Sequence, residues 1–346
     1  MATDAGTRVP PLRWDGERLH VLDQTRLPHA EEVLVLTGAE DTAAAIERLS
    51  VRGAPLIGVT AAFGLAMAVT AEPSLGALER AAERLAGARP TARNLAWAVD
   101  RVRAAALAAG PARMAGAARA EAEAVQAEDE AASAALGRHG ADALEGALAS
   151  GRLTVLTHCN TGALAASGRG TALGVIAELA DRRDVRVLAC ETRPLLQGAR
   201  LTVWECGRLG LEHELVVDGA AAGLIRRGEV AAVVTGFDRV AANGDVANKV
   251  GTYPLALAAR AADIPFMVAG PSSSVDLGLP SGDDIRIEER GADEVRTAGG
   301  ALLTVPGTRC RNPAFDVTPA ELVWALVTER GTARPVTAET VAAVGR

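Results

Sequence analysis

Leu153-Thr154-Val155-Leu156-Thr157-His158-Cys159-Asn160 is an apolar run that breaks abruptly into polar residues. Four more runs follow the same plan, at 185–190, 214–218, 230–236 and 265–270. Runs this short, rich in Val and Leu, read as strands buried on both faces. Helical patterns near 171–182, 195–209, 219–227 and 252–262 fall between them. Strand, helix, strand at this spacing predicts a parallel sheet with crossover helices. Ligands of such sheets bind beyond the carboxyl ends of the strands, near the switch in strand order. The polar clusters Thr157-His158-Cys159-Asn160, Glu191-Thr192-Arg193 and Gly236-Phe237-Asp238-Arg239 all occupy strand ends.

Upstream of this region the pattern is mainly helical. An extended start at 19–24 reads as a hairpin strand. Residues 56–69 read as a buried helix with Pro55 in its first turn, and Pro90-Thr91 opens another. Residues 104–150, dominated by Ala, Glu and Arg, read as solvated helices leading into the second domain. The fold class expected is therefore α/β: a Rossmann-like, parallel-sheet C-terminal domain over 141–346, and a smaller, mainly helical N-terminal domain over 1–140. A ligand pocket is expected between them.

Composition excludes several functions. Lys and Arg number 36 against 43 Asp and Glu, a net charge of −7, which argues against nucleic-acid or anionic-membrane partners. The four cysteines form no close-set pair, pointing to a reducing cytoplasm. The N-terminus lacks the basic and apolar regions of a leader. The stretch 56–69 is read as too short, and too rich in Gly and Thr, to span a bilayer.

Only one of the 36 basic residues is a lysine, Lys249, and there are five asparagines and one tyrosine. Asn243, Asn248, Lys249 and Tyr253 crowd into one stretch, which marks it as a candidate site. Its ammonium offers a compact point charge for a phosphate or sugar oxygen. Cys159 is a candidate nucleophile or base, and Asp238 a candidate general acid where its strand emerges. Arg52-Gly53-Ala54-Pro55 presents a guanidinium and free helix N–H groups to an anion. Arg89-Pro90-Thr91 repeats the device. Gly168-Arg169-Gly170-Thr171-Ala172-Leu173-Gly174 has the wrong spacing for a dinucleotide site, and the five histidines show no spacing with thiols or carboxylates that would make a metal site. Cys190, Cys206 and Cys310 are read as structural.

These motifs, with Glu191-Thr192-Arg193-Pro194, Gln197-Gly198 and Asn248-Lys249-Val250-Gly251-Thr252-Tyr253, together resemble the methylthioribose-1-phosphate isomerase family. The opening Leu22-Asp23-Gln24-Thr25-Arg26-Leu27-Pro28 and the closing Asn312-Pro313-Ala314-Phe315-Asp316 fit as well. The resemblance runs from about residue 19 to 327; Arg93, and Phe237 where a small residue is expected, depart from it. The superfamily also contains regulatory subunits of initiation factor 2B and ribose-1,5-bisphosphate isomerases. The resemblance implies a cytoplasmic aldose–ketose isomerase of methionine salvage, homodimeric, needing neither metal nor nicotinamide. It implies Asp238 as the acid at the ring oxygen. Cys159 would mediate hydrogen transfer, either as a base at C2 or by stabilising a hydride shift. Arg52, Gly53, Ala54, Arg89, Gln197, Asn248 and Lys249 would bind phosphate and hydroxyls. A non-catalytic regulatory subunit would have no reason to keep Cys159 and Asp238 together. Isomerases of sugars that differ at C5 remain the nearer alternative.

Overall fold

The structure is a computed structural model and describes residues 10–89 and 92–346. The helix start read at Pro90-Thr91 lies outside the described residues, as does the stretch read as lacking a leader. The chain divides into two compact units, residues 1–129 and 130–346. The division falls inside a helix, ahead of the boundary expected at 140.

The N-terminal unit opens with a three-stranded antiparallel sheet: β1 (Leu12–Trp14), β2 (Leu19–Leu22) and β3 (Val33–Leu36). Helices α1 (Ala39–Glu47), α2 (Ala54–Ala71), α3 (Leu75–Gly87) and α4 (Arg93–Ala109) follow. Helix α2 is apolar all round, with Phe63, Leu65 and Val69 fully buried, so it forms the centre of this core. It starts earlier and ends later than the expected 56–69. Its 18 residues are long and apolar enough to cross a membrane, which corrects the reading that the stretch is too short, but here it is a core helix.

Helix α5 (Met114–Glu145) is one long element and is not merely a solvated surface. Met114, Ala118, Ala122 and Val125 line the first unit's core at helical spacing, and Leu136, Ala141 and Leu144 line a core of the second. The surplus of Ala, Glu and Arg hid this stripe, because its buried side chains are mostly small.

The second unit runs β4 (Leu153–Thr157), α6 (Ala172–Ala180), β5 (Val185–Cys190), α7 (Val203–Leu209), β6 (Glu212–Val216), α8 (Ala221–Arg226) and β7 (Ala232–Thr235). Then come β8 (Arg239–Ala241), β9 (Val246–Lys249), α9 (Thr252–Ala261), β10 (Phe266–Ala269) and β11 (Val275–Asp276). The remainder is α10 (Ala292–Arg296), β12 (Thr297–Ala298), β13 (Ala301–Leu302), β14 (Phe315–Thr318), β15 (Ala325–Thr328), β16 (Gly331–Ala333) and α11 (Ala338–Gly345).

Seven strands form the main sheet in the order β16-β15-β10-β7-β4-β5-β6, all parallel except β16. Side chains alternate between two cores: Leu156, Val233 and Val268 face one, Val155, Val234 and Met267 the other. Both faces of the central strands are buried, which is why their runs read as continuous apolar stretches, whereas the edge strand β6 is mostly exposed. The chain builds outward from β4 through β5 to β6, then returns to place β7 on the other side of β4. The switch in strand order is therefore between β4 and β7. A second sheet, β11-β8-β9-β14, is inserted after β7.

Candidate active site

The register pairs Thr157 with Val234 across β4 and β7. Cys159 leaves the sheet just past the first and Asp238 just past the second. The two candidate catalytic groups thus share the carboxyl edge of adjacent strands at the switch point, where an open α/β sheet forms its ligand crevice.

Cys159 is 8% exposed and holds a left-handed backbone, φ 66°. Among the described residues only five non-glycine residues have positive φ, and Cys159, Thr192 (62°) and Leu196 (56°) are three of them. Each such residue costs of order 1–3 kcal/mol, most for a β-branched one, so surrounding bonds must over-determine it. For Cys159 those bonds are visible. Its N–H donates to Thr192 Oγ1 at 2.9 Å, and its carbonyl accepts from Thr202 Oγ1 at 2.7 Å. Gln197 Nε2 donates to its Sγ at 3.3 Å, which fixes the direction of the thiol.

Gln197 and Thr202 can both reach Cys159 because Gly198–Thr202 forms a π-helical turn, closed by Val203 N–H on Gly198 O. Bonding five residues back stacks positions 197 and 202 on one face. Gly198 is obligatory here: a Cβ would lie 1.7 Å from Cys190 O. One turn further on, buried Glu205 accepts from Asn160 Nδ2 and, at 3.0 Å, from Leu164 N–H. The local sequence gave no signal for Thr202 or Glu205. Their side chains read as ordinary helix residues until the wide turn aims them at the loop after β4.

Asp238 is half-buried, and its N–H donates to Ala247 O of β9 at 2.9 Å. Arg239 lies with Asp276, Nη1 3.9 Å from Oδ2. Phe237 is accommodated because its ring lies against Gly270, where a Cβ would meet it at 2.9 Å. A smaller residue is therefore not required.

The polar stretch after β8 divides in two. Asn243 and Asp245 serve the β8–β9 turn, with Asn243 Nδ2 on Asp245 Oδ2 at 2.7 Å. Asn248 and Lys249 lie on β9. Buried Asn248 donates to Thr252 Oγ1 at 2.9 Å, whereas the Lys249 ammonium donates to Ala314 O at 2.9 Å and stands 4.4 Å from the Phe315 ring centroid. Phe315 and Asp316 on β14 pair with Lys249 and Asn248. The Asp316 carboxylate accepts from Gly251 N–H (2.7 Å) and Tyr253 N–H (3.1 Å), satisfying the start of α9. Burial pushes its pKa up to about 6, against the pull of those N–H groups and of Lys249.

His158 donates from Nε2 to Val250 O at 2.9 Å, and burial lowers its pKa. It is therefore a neutral imidazole. Its ring lies close to Gly251, φ 104°, where a Cβ would come within 3.0 Å. No histidine has metal-site spacing in the sequence, yet the fold brings His158, Cys190 and Asp218 together at three strand ends. Those residues are far apart in sequence, so no spacing could show it. Burial pushes both Cys190 and Cys206 thiols up to about 12, and none of the four cysteines is in a disulfide among the described residues.

Arg52, Gly53, Ala54 and Arg89 belong to the N-terminal unit. Gly53, φ 92°, is the N-cap of α2, Ala54 is its first residue, and no side chain caps it. Arg52 and Arg89 are each partly buried.

Comparison with known proteins places this geometry in a group. Residues 50–335 match the model of the Initiation factor 2 subunit family. A methylthioribose-1-phosphate isomerase of Parasynechococcus marenigrum (strain WH8102) is 51% identical over 330 residues, 95% of each chain. Among solved structures, 5-methylthioribose 1-phosphate isomerase from Pyrococcus horikoshii OT3 superposes with TM-score 0.89 at 37% identity, covering 98% of this chain and 96% of that one. A structure described as translation initiation factor eIF-2B, subunit delta, from A. fulgidus superposes with TM-score 0.85 at 37% identity, covering 96% and 99%. The chain belongs to the Initiation factor 2 subunit family and, within it, to the methylthioribose-1-phosphate isomerases.

Proposed function

We propose that the protein converts 5-methylthioribose 1-phosphate to 5-methylthioribulose 1-phosphate, with Cys159 and Asp238 as its catalytic pair. The observation that carries this is their placement at the carboxyl ends of β4 and β7, either side of the switch in strand order. A sugar whose anomeric oxygen carries phosphate cannot relax to a free aldehyde. Asp238 gives a proton to the ring oxygen, which becomes the C4 hydroxyl as the C1–O bond breaks. Hydrogen then passes from C2 to C1 while the C2 hydroxyl loses its proton, leaving a ketone at C2 and a CH2–phosphate ester at C1. Cys159 mediates that transfer, its sulfur held in place by the Gln197 N–H. Arg52, Gly53, Ala54 and Arg89 hold the phosphate in this reading, while Gln197, Asn248 and Lys249 orient the hydroxyls.

Neither route draws on a metal or nicotinamide, and activity should survive added chelator. The protein works as a cytoplasmic homodimer in this reading, which light scattering on the purified protein would test. The likeness to an initiation-factor subunit favours a second, non-catalytic reading, and turnover separates the two. Purified enzyme assayed on 5-methylthioribose 1-phosphate, 5-deoxyribose 1-phosphate and ribose 1,5-bisphosphate should favour the first. Cys159→Ser and Asp238→Asn should each lose at least about a hundredfold in kcat, while Cys190→Ser stays active. Normal turnover in Cys159→Ser would remove the thiol from the mechanism.

A further inference from the structure

The residue before Cys159 belongs to a second cluster. His158 follows β4, Cys190 closes β5 and Asp218 stands just past β6, at the ends of three neighbouring strands. One ring nitrogen, the thiol sulfur and one carboxylate oxygen all lie within 4.8 Å of one another. We propose that His158, Cys190 and Asp218 form a binding site for a thiophilic divalent cation of the zinc class.

Each donor is prepared for that role. His158 spends its Nε2–H on the Val250 carbonyl, which fixes the tautomer and leaves Nδ1 unprotonated; the Thr192 hydroxyl lies 3.4 Å from Nδ1 and can turn its single hydrogen to the Cys190 carbonyl at 3.1 Å. A backbone carbonyl on the far nitrogen is the support that metal-binding imidazoles generally have. The Cys190 thiol is buried and makes no hydrogen bond among the described residues. Asp218 is oriented by Thr192 N–H on Oδ1 (2.9 Å) and Arg193 N–H on Oδ2 (2.8 Å), and each oxygen keeps a lone pair.

Charge balance points the same way. No basic side chain pairs with Asp218 among the described residues, since the Arg193 guanidinium turns to the carbonyls of Pro194, Val295 and Thr297. A divalent ion, one thiolate and one carboxylate sum to zero. Binding releases the Cys190 proton to solvent and changes no oxidation state. Ligand atoms around a tetrahedral zinc lie roughly 3.3–3.8 Å apart, given bonds of about 2.0–2.3 Å, so a set already within 4.8 Å closes by at most about 1.5 Å on binding. Partly exposed Asp218 gives the ion a way in, and a water completes the coordination. The ion ties three strand ends together and takes no part in the isomerisation. The proposal rests on this cluster alone and stands whether or not Cys159 is catalytic.

The test titrates chelator-treated, full-length protein with Co2+ and follows the thiolate-to-cobalt charge-transfer absorption. One equivalent should develop the band and raise the melting temperature. The band should persist in Cys159→Ser and Cys310→Ser and disappear in Cys190→Ser, with Asp218→Asn weakening binding at least tenfold. X-ray absorption of the Zn2+-loaded Cys159→Ser protein should show one sulfur among nitrogen and oxygen ligands, a readout that holds even if Cys190→Ser fails to fold. No band at one equivalent, a band that needs Cys159 or survives in Cys190→Ser, or zinc without sulfur would each overturn the site.

Discussion

Thr202→Val is the sharpest probe of how the candidate site is held. The exchange keeps the shape of a fully buried side chain and deletes only its hydroxyl. That hydroxyl donates to Cys159 O at 2.7 Å and accepts from Asn160 Nδ2 at 3.3 Å. Removing a buried hydrogen-bond partner costs about 1–3 kcal/mol. Cys159 already holds a left-handed conformation worth a penalty of similar size. With one of its two backbone anchors gone, relaxation of the Cys159 peptide should swing Sγ away from Gln197. If the loss falls on the transition state, kcat drops roughly ten- to a hundredfold at about 1.4 kcal/mol per decade, while KM changes little. The assay is steady-state turnover of 5-methylthioribose 1-phosphate, with melting temperature in parallel. Thr202→Ser, which restores the hydroxyl, should recover most of the rate. A Thr202→Val enzyme with wild-type kcat would refute the positioning argument. Wild-type kcat in Cys159→Ser as well would instead refute the role given to the thiol.

Lys249→Arg should lower kcat/KM by about a hundredfold with little change in melting temperature, because a planar guanidinium cannot replace an ammonium set between the Ala314 carbonyl and the Phe315 ring without displacing the sugar by roughly an ångström; near-full activity would make the rarity of lysine an accident of composition. Asp316 predicts a pH effect on stability. Its folded pKa of about 6 lies above the ordinary 3.8, so the folded state holds the proton more tightly. The stability it contributes is full below about pH 3.8 and is lost as pH rises through 6, by up to about 3 kcal/mol. The wild-type minus Asp316→Asn difference in unfolding free energy should fall across that window, and a flat difference would contradict the assignment. Turnover in deuterated water should separate the two roles open to Cys159: deuterium at C1 of the product marks a base at C2, and its absence marks a hydride shift.

The strand ends were legible because parallel strands bury both faces, so apolar runs stop where the polar site begins. Cys159 and Asp238 could be picked on that ground alone. Their adjacency could not, since it depends on β7 returning beside β4. The N-terminal sheet was half seen: β2 stood out, whereas β1 is three residues long and β3 carries valines, Val33 and Val35, on its exposed face, so its alternating burial leaves no polar–apolar alternation in the sequence. The strands β8, β9 and β14 were masked because polar residues such as Asn248 and Asp316 occupy a sheet built around a site. The His158–Cys190–Asp218 meeting is a property of sheet order, which no local pattern encodes.

The π-helical turn at Gly198–Thr202 also sets how this region tolerates changes in chain length. A wide turn contains one residue more than an α-helix needs to cover the same rise. Deleting a single residue between Gly198 and Thr202 would let an ordinary helix close with its own backbone bonds satisfied, so the cost would fall on the side-chain bonds of Thr202 and Glu205. Thr202 and Glu205 would then rotate by about 100° relative to Gln197, and the three side chains would no longer converge on the loop after β4. Such a shortened chain should fold with a lowered melting temperature and lack a gripped thiol. Loss of activity could thus be reached by one in-frame codon deletion that leaves the helix itself intact.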